Sequence, residues 1–157
     1  MNFLFYKYCV TLHITAQAYP EKTCNEKEED MVHQILKLKS VHPTVGYSHA
    51  AKAGNMLYIA GQVAQDVDGN VVGKGDFIAQ FRQVYKNLKN IMEEAGGSLQ
   101  NIVKMTTFLT HYNYIETYRS VRNEYFSEPF PPNTLLIIES LALPDYMIEV
   151  EAIAALD

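Results

Sequence analysis

The 157-residue chain has no tryptophan and only two cysteines, Cys9 and Cys24. These two share no CxxC spacing and have no paired histidines beside them. Neither a disulfide framework nor a cysteine metal site is expected, and they read as reduced thiols of a cytoplasmic protein. The five histidines, His13, His33, His42, His49 and His111, show neither HxxxH nor HxH spacing, so no metal site is expected from them either. Basic runs are also missing. With 13 Lys and Arg against 18 Asp and Glu, for a net charge of −5, the chain lacks the clustered cations that phosphate contacts require, and nucleic acid is not an expected partner. No GxGxxG, P-loop or GxSxG motif occurs, and Gly73-Lys74-Gly75 reads as a loop rather than a phosphate cradle. No stretch reaches the roughly 18 apolar residues that a membrane span needs.

What is present is a hydrophobic content of 48%, enough for one domain with a substantial core and too little length for two. The first segment, "MNFLFYKYCVTLHITAQA", ends in an A-x-A pattern at Ala16 to Ala18 that resembles a signal-peptidase site, the mark of a cleaved targeting segment. Lys7 and His13 interrupt its apolar run, and no positive region precedes it. Residues 1–33 are therefore read as a variable extension and residues 34–157 as the domain.

Within the domain, "QILKLKS" alternates and predicts a strand ending near Pro43. "GNMLYIAGQVAQ" predicts a second, with Gly61 inside it marking a bulge or a close backbone approach. Asp68-Gly69 in "DVDGNVVG" predicts a hairpin turn into a third. Asp76 is placed to cap a helix whose Phe77, Phe81, Val84, Leu88, Ile91, Met92 and Ala95 form one apolar stripe, closed by Gly96-Gly97. "NIVKMTTFLT" predicts a strand. Asn113 is placed to cap a second helix, "YIETYRSVRNEYF", stopped by Pro129, Pro131 and Pro132. "TLLIIESLA" and "YMIEVEAIAAL" predict two last strands, separated by Leu143-Pro144-Asp145. The order implies an α+β fold: one mixed sheet, a hairpin near each end, and two helices on one face. The other face is apolar enough to predict packing against further subunits.

Candidate chemistry is sparse. Glu149 and Glu151 are two apart on the last strand and share a face, where partial burial raises a carboxylate's pKa and suits it to acid–base work. The alternative is a pair of solvent-facing carboxylates or a partnership with Lys104. Tyr47 and Ser48 offer hydroxyl donors after the "HPTVG" turn. Of the eleven tyrosines, Tyr85, Tyr118 and Tyr125 sit at core spacing rather than on a base-stacking platform.

Three segments, "VGYSHAAKAGNMLYIAGQV", "QVYKNLKNIMEEAGGSLQNIVKMTTFL" and "LPDYMIEVEAIA", resemble the signature segments of the RidA (YjgF) family, also called endoribonuclease L-PSP. The resemblance runs from about Lys39 to Leu156. It implies a chorismate-mutase-like fold, a homotrimer with ligand clefts between subunits, and hydrolysis of enamine or imine metabolites such as 2-iminobutanoate to ketoacids and ammonia without a cofactor. Carried over by position, the cleft tyrosine is Tyr47, the water-directing glutamate Glu149, the strand-bend glycine Gly61 and the backbone contact Leu135. The carboxylate-binding arginine of the family's "PxRT" segment falls on Asn133, followed by Thr134. Asn lacks the charged bidentate fork of Arg, so weakened or altered deaminase activity is implied. Arg119 or Arg122 of the second helix is a candidate to restore the charge. Ala60 stands where the family often has serine. The competing readings are a non-catalytic small-molecule-binding or regulatory trimer and, third, an endoribonuclease, against which the acidic charge and the lack of paired histidines count.

Overall fold

The computed structural model describes residues 33–157, in which six strands form one mixed sheet. Cys9, Cys24, His13 and the A-x-A pattern lie outside the described residues. Strand β1 (Gln34–Ile35) is followed by β2 (Ala50–Ala53), β3 (Met56–Gln62), helix α1 (Phe77–Glu94), β4 (Ile102–Leu109), helix α2 (Tyr114–Arg122), β5 (Asn133–Ile137) and β6 (Ile148–Ala155). The sheet order is β1-β2-β3-β6-β4-β5.

The α+β class and the two helices match the sequence reading; several boundaries do not. The alternation of "QILKLKS" supports only two strand residues, β1 lying, among the described residues, at the sheet edge with β2 as its one partner. The "AAKA" segment is the missing strand β2. It turns into β3 over the two residues Gly54 and Asn55, with Gly54 at φ +60°, a conformation that costs glycine nothing. Asp68-Gly69 does turn the chain, with Asp66 Oδ1 accepting from the Asp68 and Asn70 amides, but only the isolated bridge Gln65–Val71 forms beyond it. Asn113 precedes α2 without a side-chain cap bond, and α2 ends at Arg122, four residues before Phe126. The predicted hairpin of the last two strands is absent. Strand β5 runs parallel to β4, and β6 inserts antiparallel between β3 and β4, so the last strand lies in the middle of the sheet.

Helix α1 follows the prediction closely. Asp76 accepts from the Ala79 amide at 3.0 Å, and beyond Ala95 the Gly96 and Gly97 amides donate back to Glu93 and Met92. Its stripe is buried against Leu57 and Ile59 of β3 and Ile148, Val150, Ala152 and Ala154 of β6, with α2 packed on α1. Tyr85 and Tyr118 are core residues, Tyr85 stacked on Phe81 and Tyr118 tilted against it. The opposite sheet face carries Tyr58, Phe108, Leu136 and Ile153. There Tyr58 is 48% and Leu136 42% exposed, values usual for charged rather than large apolar side chains.

Candidate functional site

Register places each candidate. On β6 the helix-facing Ile148, Val150 and Ala152 are buried, so Glu149 and Glu151 project from the open face. Glu149 stands opposite Phe108 of β4, and on its other side β3 bulges between Ile59 and Gln62. The bulge brings Gly61 under the carboxylate. A Cβ on Gly61 would overlap Glu149 Oε1 and lie 2.7 Å from its Cδ, so the glycine marks a close approach as well as a bulge. Burial, and then the negative charge of Glu151, push the Glu149 carboxyl above its ordinary range. Lys104 does not neutralise the pair: its Nζ donates to the Met105 carbonyl and, at 2.8 Å, to Thr134 Oγ1.

Tyr47 shares this neighbourhood. Its phenol is raised by burial and by the charge of Glu149, and that of Tyr146 by burial, Tyr47 and Glu149 in turn. Tyr146 is buried at the start of the β6 approach and was given no role by the sequence reading, although it lies in a quoted signature segment. Gln80 of α1 locks that approach, donating to the Asp145 carbonyl at 2.6 Å and accepting from the Met147 amide at 2.8 Å. Ser48 is exposed and makes no side-chain hydrogen bond among the described residues.

The second group is elsewhere. Asn133 and Leu135 pair with Met105 and Thr107, whose side chains face the helices, whereas Thr134 pairs with Thr106 on the open face. Asn133 is tied inward: its Nδ2 donates to Tyr118 Oη at 2.7 Å, and its Oδ1 accepts from Thr107 Oγ1 at 3.1 Å. Thr107 and Tyr118 are therefore neighbours the sequence reading missed; both are core positions by pattern, which conceals a polar role. The two arginines do not replace the missing charge. Arg119 pairs with Glu116 at 2.7 Å on the surface, and the Arg122 guanidinium lies 4.3 Å over the Phe130 ring. With β4 between β6 and β5, the Glu149 and Leu136 backbones are about 10 Å apart. The single chain thus gathers Tyr47, Gly61 and Glu149, and holds Asn133, Thr134 and Leu135 apart from them.

Among the described residues no group of three or more His, Cys, Asp or Glu could hold a metal ion, and no helix is long and apolar enough to cross a membrane.

Fold and site together define a two-layer α+β protein whose candidate chemistry is a half-buried strand carboxylate beside tyrosine phenols. Residues 37–156 match the family Endoribonuclease L-PSP, and the chain belongs to this RidA/YjgF family. It is 40% identical to a RutC family protein of Pyrococcus abyssi over 76% of this chain and 94% of that one. It is 34% identical to the 3-aminoacrylate deaminase RutC of Acinetobacter baylyi, again over 76% and 94%. The crystal structure of RidA from an Antarctic Psychrobacter superposes with a TM-score of 0.73 at 33% identity, covering 78% of this chain and 99% of that one.

Proposed function

We propose that this protein is a cofactor-independent hydrolytic deaminase of small enamine or imine metabolites, acting in clefts between the subunits of a homotrimer. The observation that carries this reading is the Glu149 carboxylate, seated over the bare Cα of Gly61, with its pKa raised by burial and its charge raising the phenols of Tyr47 and Tyr146. A carboxyl whose pKa is raised is better suited than an ordinary one both to accept a proton from water and to return one to a leaving amine. The deaminase name of the 34% identical RutC supports the substrate class. The split of the site residues supports a shared cleft: a neighbour's β5 edge would bring Asn133, Thr134 and Leu135 to Glu149, which their own protomer keeps about 10 Å away. The exposed apolar open face supports the trimer. A cytoplasmic setting is in keeping with the two reduced cysteines assigned by the sequence reading.

Substrate capture differs from that of an arginine-bearing site. Both ends of the Asn133 amide are engaged by Tyr118 and Thr107, so it offers a substrate carboxylate no charge and little free donor capacity. Replacing a charge-assisted bond by a neutral one weakens binding by about 1 to 2 kcal/mol, roughly five- to thirtyfold. The same engagement favours a second reading, a small-molecule-binding or regulatory trimer without turnover. Ammonia release from freshly generated 2-iminobutanoate and from 3-aminoacrylate separates the two. Wild-type turnover abolished by Glu149→Gln supports the deaminase; turnover only in Asn133→Arg supports the binding trimer; full activity in Glu149→Gln refutes the role of the carboxylate.

A further inference from the structure

Beneath Tyr47 lies a polar cluster that the proposed chemistry leaves unused. His42 and His49 are 3% and 5% exposed, and their rings meet edge to face with centroids 4.5 Å apart. His49 is fixed at both nitrogens. Its Nε2 lies 2.7 Å from the His42 carbonyl, which can only accept, and its Nδ1 lies 3.2 Å from the Gln62 amide nitrogen, which can only donate. The ring hydrogen is therefore on Nε2, and the imidazole pins the backbone of His42. The Gln62 amide also donates to the Ala60 carbonyl at 2.9 Å, anchoring the cluster to the β3 bulge that carries Gly61.

His42 is placed differently. Its Nε2 meets Tyr47 Oη at 3.3 Å, and its Nδ1 is buried with no partner among the described residues. Among those residues the ring makes one polar contact, and that contact is the phenol. Burial, reinforced by His49, holds His42 in its neutral form. As packing alone this is poor design: an orphaned buried nitrogen is destabilising, and an apolar ring of the same size would avoid it. Tyr47, by contrast, gains from the arrangement. It is 50% exposed on the loop between β1 and β2, and apart from an edge contact with His49 at 5.9 Å the His42 bond is what restrains its hydroxyl. One chain of contacts thus runs from the bulge under Glu149, through Gln62, His49 and His42, to the Tyr47 phenol, which feels the charge of Glu149.

We propose that His42 is a positioning residue: its imidazole, set by His49 and Gln62, orients the Tyr47 hydroxyl toward the Glu149 carboxylate. The inference rests on the deaminase reading for the use made of Tyr47, but the contact itself is tested without turnover. In the full chain with ¹⁵N-labelled histidine, Tyr47→Phe removes one hydroxyl from a half-exposed ring, so the fold is retained. The His42 Nε2 resonance is expected to shift while the His49 resonances stay in place. In the imine assay His42→Leu is expected to lower kcat about tenfold with KM within about twofold. His42→Gln, whose amide nitrogen falls near the place of Nε2, is expected to recover most of that loss, as loss of packing would not. Unmoved His42 resonances in Tyr47→Phe overturn the proposal whatever the histidine variants do. So does a folded His42→Leu with wild-type kcat. Absence of turnover in the wild type counts against the deaminase reading alone, and the resonance shift then decides the role of His42.

Discussion

At the scale of single residues, Glu149 and Gly61 are two parts of one device. Glu149→Gln keeps the shape and removes the charge, so hydrolysis is expected to fall by about a hundredfold or more. Its stability is expected to move the other way. A carboxyl whose folded pKa lies above its unfolded value favours the fold when protonated. That contribution is complete below the unfolded pKa and is lost as pH rises through the folded one. At neutral pH the ionised Glu149 is thus a burden, and Glu149→Gln should melt higher than wild type, the gap closing as pH drops below the ordinary carboxylate range. Calorimetry across pH 3 to 8 reads this directly, and a variant that melts lower at neutral pH would contradict it. Gly61→Ala makes the complementary change: the new methyl displaces the carboxylate, a flexible side-chain end on the open face. The cost in stability should stay near 1 kcal/mol, the low end for overpacking, while activity falls toward that of Glu149→Gln.

At the scale of elements, the approach to β6 matters most. The chain from β5 to β6 crosses the surface at Leu143-Pro144-Asp145 and must deliver Tyr146 beside Glu149. Gln80, fully buried in α1, provides the registration through its bonds to Asp145, Met147 and Gly73. Gln80→Ala leaves the Met147 amide without its acceptor, a loss of about 1 to 3 kcal/mol in a buried setting. Urea unfolding should show a lower midpoint with an unchanged slope, and ligand affinity should fall because Tyr146 is released. An unchanged midpoint would mean that water replaces the side chain. Elements also show where sequence reading works. Helix α1 was legible because cap, stripe and closing glycines agree locally. Strand β2 was not, since "AAKA" has low strand propensity and forms only because β3 lies beside it.

At the scale of the whole molecule, the open face and the divided site point to assembly. Leu136→Asp combined with Tyr58→Glu places charges on that face. Sedimentation is expected to show a trimer in the wild type and monomers in the double variant, and a monomeric wild type at micromolar concentration would remove the basis for shared clefts. The sequence by itself determined the α+β class, the helix α1 and the placing of Glu149 and Glu151 on one strand face, because these follow from periods of 3.6 and 2 and from caps within a few residues. Gly61 was legible as a bulge or close approach, but not the group that approaches it, a carboxylate arriving from a strand almost ninety residues later. Only the tertiary structure decided that β6 inserts between β3 and β4, that Asn133 bonds inward to Tyr118 and Thr107, and that His42 and Gln62 support the Tyr47 loop. Strand order and buried polar partnerships join residues far apart in sequence, and neither leaves a periodic trace along the chain.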